Sequence, residues 1–195
     1  MIVFQEMLVQ FIETILPGAF IVEIDRLADE RGFFARTWCS REFSEHGLPS
    51  DIKQTSTSFN EAKGTLRGMH FSSSPCKEGK LVRCTSGRML DVIIDIRPNS
   101  PAFLQHIKIE LSAECRNALY VPPGFAHGYQ TLESNTEIYY MMTEEYMPGH
   151  ADGFRWNDPA FAIEWPEEER VIFDRDNSYP DFDALKVRGF SGYYG

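Results

Sequence analysis

The chain is short of cysteine, of positive charge and of long apolar runs, and each shortage narrows what it can be. Its four cysteines, Cys39, Cys76, Cys84 and Cys115, stand far apart with no C-x-x-C pair, a spacing that fits neither a zinc knuckle nor a dithiol redox motif. In a chain of 195 residues with ample core they are read as reduced thiols. No stretch approaches the roughly 20 apolar residues that a membrane-spanning helix needs. The first Lys or Arg is Arg26, so the basic n-region of a secretory leader is missing and a cytoplasmic protein is expected. With 19 Lys and Arg against 29 Asp and Glu, the net charge of −10 opposes binding to nucleic acid, whose phosphates the whole-molecule field repels. Internal repeats and low-complexity stretches are absent too.

What remains is a globular balance, 43% apolar and 25% charged, enough for one substantial core. Residues 11–195 are expected to form one domain, with residues 1–10 a helical or disordered extension. Short β-rich segments recur at 20–24, 33–39, 52–59, 65–71, 80–85, 89–96, 106–111, 118–121, 129–132 and 137–143. Between them fall Lys63-Gly64, Ser86-Gly87, the turn from Arg97 to Pro101 and Pro122-Pro123-Gly124, all good turn chemistry. Helical signals are few: Ser40 as the cap of a short helix running to His46 and stopping at Gly47, and a weaker one at 181–185. Many short strands with few helices imply a sandwich, jelly roll or closed barrel. A barrel mouth is a natural pocket, and the proline-punctuated tail after Trp156 is expected to wrap the outside or cross that mouth.

Several constellations carry chemistry. Gly64-Thr65-Leu66-Arg67-Gly68-Met69-His70-Phe71 sets a cation and an imidazole three apart on a strand, on opposite faces unless Gly68 supplies a bulge. Gly79-Lys80-Leu81-Val82-Arg83 sets two cations three apart, and Pro122-Pro123-Gly124-Phe125-Ala126-His127 delivers a histidine from a turn into a strand. Each has a bland reading alone: a structural histidine, a solvated edge charge, a turn-forming Asp176. Their joint presence in one small β protein favours function. A metal is not expected. Pro122-x-Gly124-x-x-His127 resembles half of a cupin metal motif, but His70 is followed by Phe71 and Ser72 where a second histidine would be needed, and two histidines fall short of an ordinary ligand set.

Taken in order, the segments resemble the dTDP-4-dehydrorhamnose 3,5-epimerase family from about Ile12 to Pro180. The matching motifs are Asp29-Glu30-Arg31-Gly32-Phe33-Phe34, Leu66-Arg67-Gly68-Met69-His70-Phe71, Gly79-Lys80-Leu81-Val82-Arg83, Asp91-Val92 with Asp95-Ile96-Arg97, Pro123-Gly124-Phe125-Ala126-His127-Gly128 and Trp156-Asn157-Asp158. The resemblance implies an all-β cupin jelly-roll barrel with short peripheral helices, a homodimer made by exchange of N-terminal strands, and a nucleotide-diphosphate-linked 4-keto-6-deoxyhexose as substrate, epimerised without a cofactor in deoxysugar or O-antigen-type polysaccharide biosynthesis. It further implies that His70 is the general base, oriented by Asp176, and that Tyr140 is the acid on the opposite face of the sugar. Lys80 would stand by the enolate oxygen. Arg67 and His127 would line the site with Gln54 near the sugar, while Arg31 and Phe34 would reach the nucleotide of the partner subunit.

These roles suit the chemistry. Removing a proton from carbon beside a ketone requires a base and a cation to stabilise the enolate, and inversion requires a proton returned from the other face. Some positions depart from the family pattern. Ser56 stands where an amide is usual, Met141 where a cation follows the tyrosine, and Glu145 where an aromatic often faces the sugar. Arg36 replaces an acidic residue that contacts thymine, and guanidinium only donates hydrogen bonds. One or two inverted centres, a thymidine or a CDP or GDP carrier, and a non-catalytic sugar-nucleotide-binding cupin therefore all stand as readings of the sequence.

Overall fold

The computed structural model describes residues 8–193. Two antiparallel sheets face one another as a jelly roll. The first runs in the order β1(Val9–Glu13), β2(Phe20–Ile24), β10(Ala118–Val121), β7(Lys80–Ser86), β12(Thr136–Met142), β5(Gln54–Asn60). The second runs β13(Ala151–Gly153), β6(Thr65–Ser72), β11(Phe125–Thr131), β8(Arg88–Asp95), β9(His106–Ser112), with the two-residue β14(Val171–Ile172) parallel to β6. A separate hairpin pairs β3(Leu27–Asp29) with β4(Gly32–Phe34).

Side-chain alternation decides which residues meet. On β7, Val82 and Cys84 enter the core between the sheets, with Met89 and Ile93 of β8, Phe125 of β11 and Ile138 of β12. Leu81 points the other way, under the helix α1(Ser40–Glu45) with Phe43, Val22 and Tyr120. The second sheet is covered on its outer face as well. Leu66, Met69, Val92, Ile94 and Ala126 are buried there against Phe154, Phe161, Trp165, Val187 and Phe190, so the expected wrapping of the tail on the outside is what occurs. β11 is consequently buried along its whole length.

Several local expectations are corrected. Of the segment 33–39 only the start is strand, because its sole partner is the three-residue β3 before the chain turns into α1. β11 begins at Phe125, four residues before the expected start, since β6 and β8 pair with it on both sides and override Gly128. Ser40 is the first residue of α1 and not its cap; Cys39 holds the cap position with no side-chain bond, while the helix does end at His46 and Gly47. No helix forms at 181–185: Phe182 donates its N–H to Asp158, and the helical turns fall instead at α2(Asp174–Ser178) and the 3-10 segment Arg188–Gly192. Val9 and Gln10, assigned to an extension, belong to β1, which pairs with its own chain's β2. The helical or disordered reading of residues 1–7 lies outside the described residues. None of the helices is long and apolar enough to cross a membrane, among the described residues.

Candidate active site

The space between the sheets is apolar at one end and polar at the other. Leu16, Met89 and Leu111 belong to the apolar part, whereas the polar end opens as a cavity of about 390 Å³ whose wall includes Gln54, Ser56, Arg67, His70, Lys80, His127 and Tyr140. Period two brings Lys80 into it from β7 and Tyr140 from β12, and the register partners Tyr140 with Ser56 and Met142 with Gln54.

Arg67 and His70 share the cavity because β6 carries the bulge that Gly68 allows. His70 faces His127 and Arg67 faces Tyr129, three steps along β6 against two along β11. Gly68 has φ +136°, and a Cβ there would lie 2.6 Å from the Gly128 Cα. No other residue type fits that close crossing.

His70 is held by Asp176, the third residue of α2. Its Nε2 lies 2.9 Å from Asp176 Oδ1, which also accepts from Arg175 Nε at 3.1 Å, while Oδ2 accepts from the Gly68 N–H at 3.2 Å. Asp176 is buried; burial pushes its carboxyl upward, but the His70, Gly68 and Arg175 donors together outweigh it and hold the pKa below the ordinary value. The carboxylate therefore persists, and its negative charge beside Nε2 favours a proton on that nitrogen, which leaves Nδ1 as the basic nitrogen of His70.

A second histidine–carboxylate contact stands alongside. His127 Nε2 is 2.7 Å from Oδ1 of the fully buried Asp91, close enough for strong attraction although the angle falls short of a hydrogen bond. Tyr140 is pushed well above the ordinary phenol value by burial first and then by its neighbour Tyr129 and by Asp91, with Arg67 opposing. It stays a proton donor at any working pH.

Three residues in or behind the cavity wall carried no signal that was read from the sequence. Glu78 lies 3.0 Å from the Lys80 ammonium and accepts from Ser72 Oγ at 3.2 Å; residues two apart in extended chain share a face, which was the available signal. Buried Asn60 takes hydrogen bonds from Arg67 Nε at 3.0 Å and from the Tyr129 hydroxyl at 3.2 Å, a long-range convergence with no local signature. Arg175, beside Asp176 in sequence, brings Nη2 to 3.5 Å from His70 Nε2.

The departures from the family pattern look different in three dimensions. Arg36 is ion-paired with the buried Glu42, whose other oxygen accepts the Val9 N–H. Met141 turns to the outer face of its sheet. Tyr146, not Glu145, enters the cavity wall, and its N–H is tied to Gln54 Oε1 at 3.2 Å. Arg83 also points outward, donating to the carbonyls of Arg116 and Thr37, so the two cations of the Lys80 segment do not share a site. Arg31 and Phe34 are not brought to this cavity. They lie exposed on the β3–β4 hairpin, with Arg31 paired to Asp29. Among the described residues no three His, Cys, Asp or Glu side chains converge as a metal-ligand set.

The fold and its polar mouth define a class: a cupin-type barrel whose pocket holds a histidine–carboxylate pair, a lysine and a phenol, the equipment of proton transfer. The profile of the dTDP-4-dehydrorhamnose 3,5-epimerases matches residues 13–184. The chain is 36% identical over 185 residues to the dTDP-4-dehydrorhamnose 3,5-epimerase of Sinorhizobium fredii, covering 94% of this chain and 91% of that one. It superposes on the crystal structure of the Bacillus anthracis enzyme with TDP and PPi bound at TM-score 0.87 and 35% identity, covering 90% and 100% of the two chains. A Legionella pneumophila 3,5-epimerase in complex with dTDP-4-keto-L-rhamnose matches at TM-score 0.83 and 32% identity, over 89% and 92%. The chain belongs to the dTDP-4-dehydrorhamnose 3,5-epimerase family, a family of isomerases.

Proposed function

We propose that the chain inverts C3 and C5 of a dTDP-linked 4-keto-6-deoxyhexose, in the making of deoxysugars for polysaccharides such as lipopolysaccharide. The observation that carries this reading is the His70–Asp176 pair set in the wall of a cavity that also holds Tyr140 and Lys80. A proton on carbon beside the C4 ketone passes to His70 Nδ1, while Asp176 steadies the imidazolium that forms. Negative charge moves to the C4 oxygen, where the Lys80 ammonium and His127 balance it. Tyr140 then gives its proton to the other face of the same carbon, and the configuration inverts as the ketone re-forms. The net change is one proton taken and one returned at each centre, with no oxidation. Gln54 and Ser56 meet the sugar, and Arg67 meets its polar groups.

With Arg36 engaged by Glu42 within its own chain, the departure at this position is no argument against thymidine, the base carried by the relatives' substrates. The exposed hairpin of Arg31 and Phe34 suits a homodimer in which it reaches the partner's nucleotide. Turnover of dTDP-4-keto-6-deoxyglucose, followed by reduction and identification of the products, tests the assignment. His70→Ala is expected to lower kcat by about 10²–10⁴, with Tyr140→Phe retaining proton exchange from the histidine face while losing inversion. Full epimerisation by the His70→Ala protein would refute the role given to that residue.

A further inference from the structure

The family match ends at residue 184, yet the chain beyond it is packed into the molecule. Val187 and Phe190 are fully buried. Phe190 meets Phe71, the neighbour of His70, edge to face at 6.0 Å between centroids, and carries Tyr193 stacked on it at 5.0 Å. The Tyr193 hydroxyl donates to the Cys76 carbonyl at 2.9 Å, and the Lys77 ammonium stands 5.4 Å from the centre of the Tyr193 ring. Gly189 passes so near Ser74 that a Cβ there would lie 2.8 Å from the Ser74 Cβ. Lys186 reaches Asp152, in the cavity wall, at 2.9 Å.

Most of these contacts converge on residues 73–79, the loop that delivers Glu78 and then Lys80. The loop's ends are anchored to other segments, the Ser73 N–H donating to the His150 carbonyl and the Gly79 N–H to Thr143 Oγ1, while at its middle the Cys76 N–H bonds only within the loop, to the Ser73 carbonyl. Its middle is held from outside, by Tyr193. Lys80 itself is fixed at its backbone by pairing with Val121 and Met142, but its Nζ is 3.0 Å from Glu78 Oε1, so drift of this loop moves the carboxylate that tethers the ammonium. An ammonium that stabilises a developing charge must be fixed before the reaction, and displacement by about 1 Å is enough to cost a large factor in rate.

We propose that residues 186–193 are a clamp that positions Glu78 and Lys80, a role resting on the part given to Lys80 above. The clamp acts on the transition state more than on substrate binding, so its loss lowers kcat with little change in KM. Tyr193→Ala removes the hydroxyl and the ring stacked on Phe190 while leaving the buried side chains of Val187 and Phe190 in place, and Tyr193→Phe keeps the stack as the conservative variant. Amide hydrogen exchange of residues 73–79, followed by mass spectrometry, is measured beside kcat and KM, with thermal melting to show that the variants are folded. The expected result for Tyr193→Ala is roughly tenfold faster exchange in this loop alone and kcat lower by about five- to tenfold with KM within about twofold; Tyr193→Phe recovers most of both. Unchanged loop exchange, or faster exchange with unchanged kcat, overturns the proposal. Inactivity of the unaltered chain on every ketosugar would instead overturn the assigned reaction, and the exchange measurement would still read the clamp.

Discussion

At Asp176 the balance between burial and hydrogen bonding has a consequence that stability measurements can read. Its carboxyl is held below the ordinary value of 3.8 in the folded chain, so the unfolded chain binds more protons near that pH. The stabilisation is complete above the unfolded value and drains away as pH falls through the lower, folded one. Asp176→Asn removes it; the gap in urea midpoint between the native chain and the variant is expected to be constant near neutrality and to shrink below about pH 4. A gap that widened in acid would contradict the pairing with His70. His70, Lys80 and His127 were legible in the sequence because each stands in a punctuated strand motif, whereas Tyr140 was singled out only through the family resemblance. Glu78 and Asn60 were not, since the first serves through a partner two residues on and the second gathers Arg67 and Tyr129 from other strands. Arg36 shows the converse: its residue type was legible, but the Glu42 that engages it became a neighbour only through folding.

Among the elements, β6 matters most, because its bulge turns two residues that alternation would separate toward one cavity. Gly68→Ala introduces a methyl against the Gly128 Cα at a backbone angle that side chains resist. We expect a loss of about 3 kcal/mol in unfolding free energy, with kcat falling because His70 and its Asp176-bound N–H neighbour both shift. Denaturant titration and kinetics on one preparation would check this; a variant of native stability would show that the bulge relaxes freely. The bulge was foreseen from Gly68, and eight of the ten expected strands lie close to where they form. The failures at 33–39 and at the start of β11 have one cause. Strand extent is set by what pairs alongside, so β4 is shortened by a short partner and β11 lengthened by two long ones. β1 was missed for a similar reason, its identity resting on pairing with β2.

For the molecule as a whole, a net charge of −10 must coexist with an anionic substrate. The cavity reconciles the two by gathering Arg67, Lys80 and Arg175 in its wall, so the attraction is local. The hairpin carrying Arg31 and Phe34 lies outside that cavity, and Phe34 is 66% exposed. If it serves the partner's nucleotide, Phe34→Ala should raise KM for the dTDP-sugar by about 10-fold, the worth of one stacked base, and leave kcat nearly unchanged. An unchanged KM would remove the hairpin from the site.

The central claim, that His70 and Tyr140 work on opposite faces of one ketosugar, is tested most directly by NMR of dTDP-4-keto-6-deoxyglucose incubated with the protein in deuterated water and then reduced. The account predicts deuterium at both C3 and C5 of an inverted sugar. No incorporation at either carbon would contradict the reaction itself, and deuterium confined to C3 would contradict the double inversion.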